Sequence, residues 1–188
     1  MLSAKLSYTK PKEMKLYFTK SREEEMKDAL EKVSRFHAPI LDIGASEGKV
    51  YEIEKRMKLK NEYIATELNL KLAKNLKRNF EEVEVLQCSA YCLPFREKCV
   101  NPISLNVINW IPMEQEKHLE ELERISKDLF LISLYSEMKK IDEKLKKKTV
   151  FSEKVLEYCR ENFKKVGEYK DKIGTLELFI RSKHRRKI

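Results

Sequence analysis

Residues 41–50 read Leu41-Asp42-Ile43-Gly44-Ala45-Ser46-Glu47-Gly48-Lys49-Val50. An apolar run, Pro39-Ile40-Leu41, enters this stretch and a helical pattern leaves it. Between them stand Gly44 and Gly48, two of the four glycines in the chain. Glycines at such a junction allow close approach to the backbone, and the start of the following helix offers free N–H groups and a partial positive charge. Those features hold an anionic group. Asp42, at the end of the apolar run, suits a cation. The stretch therefore reads as a strand–turn–helix junction built around a ligand with both charges.

Working outward, strands and helices alternate. Ser21-Arg22-Glu23-Glu24 has the form of a capping box, and Met26, Leu30 and Val33 recur behind it at helical spacing, with Phe36 or His37 continuing the series. Ile40–Ile43 reads as a buried strand and Lys49–Met57 as a helix with Val50, Ile53 and Met57 inward. Tyr63–Thr66 is a second strand, ending at Glu67. Asn69 caps a helix bearing Leu72, Leu76 and Phe80. Val83–Leu86 is a third strand and Ile103–Leu105 a fourth. Pro112 suits the first turn of a helix carrying Gln115, Leu119, Leu122 and Ile125. Leu129–Leu134 is a fifth strand, followed by helical signals over Met138–Lys147 and, capped by Ser152, over Val155, Leu156, Cys159 and Phe163. Two strands, near Val166–Tyr169 and Thr175–Arg181, close as a hairpin. Such alternation predicts an α/β fold: a doubly wound, mostly parallel, seven-stranded sheet with helices on both faces and a C-terminal antiparallel hairpin. The expected organisation is a basic N-terminal segment and cap helix over 1–37, one domain over 38–182 and a basic tail over 183–188.

Ligands in such sheets bind outside the carboxyl ends of the strands. Asp42 to Gly44 and Glu67 lie at such ends. Glu67, nineteen residues after Gly48, has the placement of an acid that accepts two hydrogen bonds from a ribose diol. A dinucleotide fingerprint needs G-x-G-x-x-G, and here Ser46 and Lys49 break it. The pattern D-x-G-x-S-x-G instead resembles motif I of the class I S-adenosylmethionine-dependent methyltransferases, with Ser46 in place of the middle glycine.

The resemblance covers roughly residues 38–182. Tyr63-Ile64-Ala65-Thr66-Glu67 resembles motif II. Cys88-Ser89-Ala90-Tyr91-Cys92-Leu93-Pro94-Phe95 is similar to the family's G-D-A-x-x-L-P-F, with Ser89 where an Asp usually meets the adenine amine. Asn106-Val107-Ile108-Asn109-Trp110-Ile111-Pro112 resembles the segment that borders the transferred methyl group. The resemblance implies S-adenosyl-L-methionine as cofactor. It also implies roles: Asp42 for the ammonium, Gly44, Ala45 and Gly48 around the methionine end, Glu67 and Leu68 at the ribose, and Ser89 and Ala90 at the adenine. Asn106 would border both the cofactor and the reacting methyl, as the candidate catalytic neighbour. Asn106 has no basic group, and alignment alone can supply about 7–11 kcal/mol of the barrier lowering.

Each residue also has a structural alternative. Asp42 can equally be read as a helix cap, Glu67 as a surface acid, Ser89 and Asn106 as turn formers and Trp110 as core. Asn101-Pro102-Ile103-Ser104 lacks the second proline and the aromatic of the N-P-P-Y signature of amino-directed nucleic-acid methyltransferases. No Pro-Cys stands at the fourth strand for cysteine-based methylation. Cys88, Cys92 and Cys99 lack a fourth ligand at zinc spacing, so no metal is expected. His37, His118 and His184 are scattered and mark no site.

Composition bounds the rest. The chain has 188 residues, is 41% hydrophobic and 38% charged, and carries a net charge of +9. That fits one folded domain, with a surface like that of a thermophile. Neither a secretory leader nor a ~20-residue apolar span is evident, and the four cysteines show no disulfide framework, so a cytoplasmic location without membrane contact is expected. The positive charge is uneven. Residues 1–20 carry +4, residues 139–148 carry +4 and residues 181–188 carry +5, so the remaining residues carry −4. Concentrated basic segments are a footprint for polyanions, and the expected acceptor is RNA or another nucleic acid. A small molecule or a protein lysine remains an alternative acceptor, as does a non-catalytic binding subunit of the same fold.

Overall fold

The computed structural model describes residues 19–111, 115–138 and 153–182. Seven strands form one sheet: β1 (Ile40–Ile43), β2 (Tyr63–Thr66), β3 (Glu84–Leu86), β4 (Asn101–Leu105), β5 (Leu129–Met138), β6 (Lys164–Lys170) and β7 (Gly174–Ser182). Their order across the sheet is β3-β2-β1-β4-β5-β7-β6. The pairings among β1 to β5 are parallel, whereas β7 pairs antiparallel with both β5 and β6. The strand order reverses at β1, which lies between β2 and β4. That places the topological switch point at the carboxyl end of β1, where the Gly44–Gly48 loop begins.

Helices α1 (Lys20–Val33), α2 (Lys49–Met57), α3 (Leu70–Asn79), α4 (Gln115–Ile125) and α5 (Glu153–Asn162) cover the sheet. Two apolar layers result. Leu30, Ile53, Leu76, Ile103 and Leu131 belong to one, and Leu41, Ile43, Leu122, Phe130 and Phe179 to the other. Central strands are buried on both faces, as their continuous apolar sequences require.

Local chemistry sets the element ends. Asn69 caps α3 as its sequence indicates, its side chain accepting from the N–H groups of Lys71 and Leu72. The cap of α1 is Thr19 instead of Ser21: the Thr19 hydroxyl accepts from the Arg22 N–H at 3.3 Å, while the Ser21 hydroxyl donates to the Lys170 carbonyl of β6 at 2.6 Å. The physical reason is reach: Arg22 stands three residues beyond Thr19, the spacing a capping hydroxyl spans. β4 starts at Asn101, two residues before its apolar core suggests. Pro102 fits there because it pairs with Leu41 of β1 while pairing with β5 begins only at Ile103. β5 runs on to Met138, so the helical signal begun at that residue gives way to strand, and its continuation over 139–147 lies outside the described residues, as do Pro112 and Ser152.

No helix among the described residues is long and apolar enough to cross a membrane.

Candidate cofactor and acceptor site

Every residue that the sequence assigns to the cofactor lies at the carboxyl edge of the parallel strands or in the loops leaving it. Asp42 sits in β1 with 2% of its surface exposed. It caps no helix: α2 is capped by Gly48 without a side-chain bond. Its carboxylate accepts from the Tyr63 hydroxyl at 2.6 Å. Burial pushes its pKa up to about 7, with the neighbouring Glu67 charge adding to the rise.

Glu67 follows β2 and is 8% exposed. Its Oε2 accepts from the Ser46 N–H at 2.9 Å and its Oε1 from the Asn69 N–H at 2.8 Å. It thus ties the loop after β1 to the loop after β2. Burial raises its pKa, and the backbone donors oppose the rise. The Leu68 N–H adds to these donors, and of the four lone-pair sites on the two oxygens at least one remains for a further donor. The surface-acid reading of Glu67 does not fit this placement.

The loop itself runs through three left-handed residues: Gly44 at φ +69°, Ser46 at φ +54° and Gly48 at φ +84°. Ser46 therefore carries the conformation that a third glycine would take without strain. The two glycines serve different ends. A Cβ on Gly48 would stand 2.3 Å from Leu76 Cδ1 and 2.8 Å from Phe80 Cε2, so this glycine lets α3 pack against the loop. A Cβ on Gly44 would meet Val107 Cγ2 at 2.9 Å, which keeps the β1 and β4 loops close together. Close approach at Gly48 is thus to the protein's own helix, a packing role that the motif alone does not reveal.

Asn106 follows directly on β4 with φ +61°, a backbone Asn tolerates better than most residues. Its N–H donates to the Ser133 carbonyl at 3.1 Å and to the Ser133 hydroxyl at 2.9 Å. Its Oδ1 is the one buried side-chain atom among the described residues with no hydrogen-bond partner. Behind it lies a network the sequence reading missed. Ser133 Oγ donates to Glu25 of α1, and Arg22 donates to the other Glu25 oxygen. Glu25 is fully buried and Arg22 6% exposed. Because the Ser133 proton is committed to Glu25, the Ser133 oxygen faces the Asn106 N–H as an acceptor. Asn109, 2% exposed, adds a second tie by accepting from the Tyr135 N–H at 2.9 Å. The available signal was the charged pair Arg22 and Glu25 falling on the same helical stripe as Met26, Ala29 and Leu30.

Ser89 accepts from the Tyr91 N–H at 3.2 Å, so it is at least a turn residue. Ala90 is held by its carbonyl, which accepts from His118 Nδ1 at 3.0 Å. The proton must be on Nδ1, since a carbonyl cannot donate. His118 Nε2 then accepts from the Ser104 hydroxyl at 2.8 Å. Burial pushes the pKa of this fully buried histidine down to about 4. The unfolded chain therefore binds this proton more readily, and stability falls as pH drops from 6.5 toward 4. The loss attributable to His118 approaches about 3 kcal/mol at pH 4. Denaturant midpoints measured over that range should fall more steeply for the wild type than for His118→Gln. Leu68 is 42% exposed beside Glu67. Among the described residues no group of His, Cys, Asp and Glu could hold a metal ion.

Asp42 and Glu67 form a pair of buried acids, and among the described residues no cation is in hydrogen-bond contact with either. A ligand bearing positive charge, an amine and a diol fits that donor-poor mouth. The class defined by this sheet, loop and acid pair is a Rossmann-like domain that binds an adenosine cofactor. Residues 41–132 match a family described as a methyltransferase domain. The fold is that of the class I, Rossmann-like S-adenosylmethionine-dependent methyltransferases, and the matched residues carry the acid pair and the loop between them.

Solved structures share the fold. An S-adenosylmethionine-dependent methyltransferase from Aquifex aeolicus is 18% identical with a TM-score of 0.63, covering 92% of this chain and 99% of its own. Magnesium protoporphyrin IX methyltransferase from Synechocystis, solved with bound S-adenosylhomocysteine, is 9% identical with a TM-score of 0.69, covering 92% and 87%. A chain from the Haloferax volcanii complex of the Trm112 methyltransferase activator with a putative methyltransferase is 13% identical with a TM-score of 0.57, covering 89% and 96%. No curated protein matches the sequence.

Proposed function

We propose that the protein transfers a methyl group from S-adenosylmethionine to RNA or another nucleic acid. The cofactor supplies a methyl group already activated on a sulfonium, so the protein's task is to bind, align and exclude water. Asp42, uncompensated and buried, would hold the ammonium and shift to its charged form as it does so. Gly44, Ala45 and Gly48 would shape the methionine end. Glu67, with acceptor capacity left beyond its backbone donors, would take the ribose hydroxyls beside Leu68. Ser89 and Ala90 would flank the adenine. Asn106, fixed from behind by Ser133, would border the methyl and orient the acceptor.

The observation that carries the nucleic-acid reading is where the basic segments join the domain. Residues 1–20 enter α1 at Thr19 and Lys20, which share the wall of a cavity of about 360 Å³ with Lys49, the first residue after the Gly44–Gly48 loop. Residues 139–148 follow Met138 at the end of β5, on the same edge of the sheet. Two of the three basic segments therefore leave the domain beside the proposed site. The third leaves from Ser182, which pairs with Leu129 at the start of β5 and so lies on the opposite edge. Basic segments joined to the domain at these points suit a backbone of phosphates, with sequence left to other contacts.

Fluorescence anisotropy with structured RNA tests this. With about four phosphates engaged, affinity should fall roughly a hundredfold between about 50 and 200 mM salt. Replacing Lys10, Lys12 and Lys15 by Glu should flatten that dependence. Salt-independent or absent RNA binding, together with labelled-methyl transfer to a small-molecule pool, would replace RNA with a small acceptor.

A further inference from the structure

Three aromatic rings stand in file between the Gly44–Gly48 loop and Asp42. Phe80, at the C-cap of α3, meets Tyr51 of α2 edge-on with centroids 5.1 Å apart, and Tyr51 meets Tyr63 of β2 at 5.0 Å. At one end, the Phe80 ring fills the space that a side chain on Gly48 would need. At the other, the Tyr63 hydroxyl donates to Asp42 Oδ2 at 2.6 Å. The sequence explains how the phenol arrives there. Side chains two apart on a strand share a face, so Tyr63 and Ala65 of β2 lie on the same side of the sheet as Ile40 and Asp42 of β1. Tyr63 is in register with Ile40, two residues before Asp42, and the register partner of Asp42 is Ala65. Its methyl group leaves the Tyr63 ring free to reach along the strand.

Asp42 Oδ2 is thereby taken from the interior. Oδ1 has no hydrogen-bond partner among the described residues, yet the one such atom sealed from solvent is Asn106 Oδ1. Asp42 Oδ1 therefore keeps its contact with solvent, at the mouth of the site. One oxygen is held and the other is offered. The groups acting on the Asp42 charge are the Tyr63 hydroxyl and, after β2, Glu67. Those acting on Tyr63 are Asp42 itself and, from α2, Glu54 and Tyr51. All of them are acids. Burial and Glu67 favour the neutral form of Asp42, and the proton that Tyr63 donates favours the charged one.

We propose that Tyr63 is a positioning residue for the cofactor: its hydroxyl fixes Asp42 Oδ2 and favours the carboxylate, so that Oδ1 meets the ligand's ammonium charged and oriented. The inference rests on the assignment of Asp42 to that ammonium. Tyr63 acts through Asp42, and the rings of Tyr51 and Phe80 hold it in place from the side of the loop.

Calorimetric titration of the full chain with S-adenosylhomocysteine tests this, comparing the wild type with Tyr63→Phe, which keeps the ring and removes the donor. Methylthioadenosine, which lacks both the ammonium and the carboxylate, is the control ligand. Without the donor, Asp42 stays neutral to higher pH. Tyr63→Phe should therefore bind S-adenosylhomocysteine about tenfold more weakly near about pH 6 and about equally by about pH 9. The ratio of the two dissociation constants at each pH cancels the ligand's own titration. Methylthioadenosine should bind both proteins alike. A ratio that does not change with pH, or an equal weakening of methylthioadenosine, makes Tyr63 a packing residue only and overturns the proposal. Wild-type affinity for S-adenosylhomocysteine that survives Asp42→Asn is a separate failure: it removes Asp42 from the ammonium and the role of Tyr63 with it. Should Tyr63→Phe fail to fold, NMR of the wild type with tyrosine labelled at Cζ decides. The Tyr63 resonance should titrate with the midpoint of the S-adenosylhomocysteine affinity and move on binding, and a resonance that does neither overturns the proposal.

Discussion

Glu67→Ala should abolish binding of S-adenosylmethionine and S-adenosylhomocysteine within the range of calorimetry. Its carboxylate has two structural tasks, holding the N–H groups of Ser46 and Asn69, and one proposed binding task, the ribose diol. Removing it frees both loops and deletes two charge-assisted hydrogen bonds to the cofactor. At about 1.5–3 kcal/mol per bond, the expected loss is roughly a hundredfold to ten-thousandfold. Glu67→Gln separates the tasks, because one amide oxygen can serve a backbone N–H but not both loops. An intermediate loss is expected there. Affinity retained in Glu67→Ala would remove the acid from the cofactor site and with it the assignment of the surrounding residues.

Glu25→Ala should cost more stability than any other single truncation in α1, about 3–5 kcal/mol by chemical denaturation. The variant leaves the Arg22 guanidinium buried without its carboxylate and deprives the Ser133 hydroxyl of its acceptor. Burial dominates the Glu25 ionisation, raising its pKa, and the attraction of Arg22 opposes it. The double variant Arg22→Met with Glu25→Leu removes both charges together and should recover much of the loss, since hydrophobic replacement of a buried pair is often neutral. It should still loosen the Asn106 loop, because Ser133, with its acceptor at position 25 gone, is free to turn its proton toward the Asn106 N–H. If Glu25→Ala unfolds no more readily than the wild type, the network contributes nothing to the fold.

The parts legible in the sequence share a property: each was announced by local chemistry. Ile40–Ile43 and Tyr63–Thr66 were readable as strands because they are short, apolar and bounded by turn formers. Asn69 was readable as a cap because its side chain bonds two residues along. Asp42 and Glu67 followed from strand ends at a fixed spacing. What escaped depends on contacts between residues distant in the chain. Ser133 and Glu25 are 108 positions apart, and nothing local to either marks the other. The role of Gly48 beside Leu76 and Phe80 has the same origin, as does the preference of the Ser21 hydroxyl for a β6 carbonyl. His118 read as an isolated histidine because Ala90 and Ser104, its two partners, come from a loop and a strand that only the sheet brings together.

The placement of β7 bears on how the chain reaches its native state. β6 is made before β7 but has no other strand to pair with, and β7 fills the gap between β6 and β5. The seventh strand therefore locks the sheet last, as a central piece. A nascent chain emerging from the ribosome can assemble β1 to β5 from successive local units, but β6 must wait until about residue 182 is available. Loss of a few residues from β7 would unzip two neighbours at once, and folding intermediates should expose the β5 edge as a pairing template until β7 has been made.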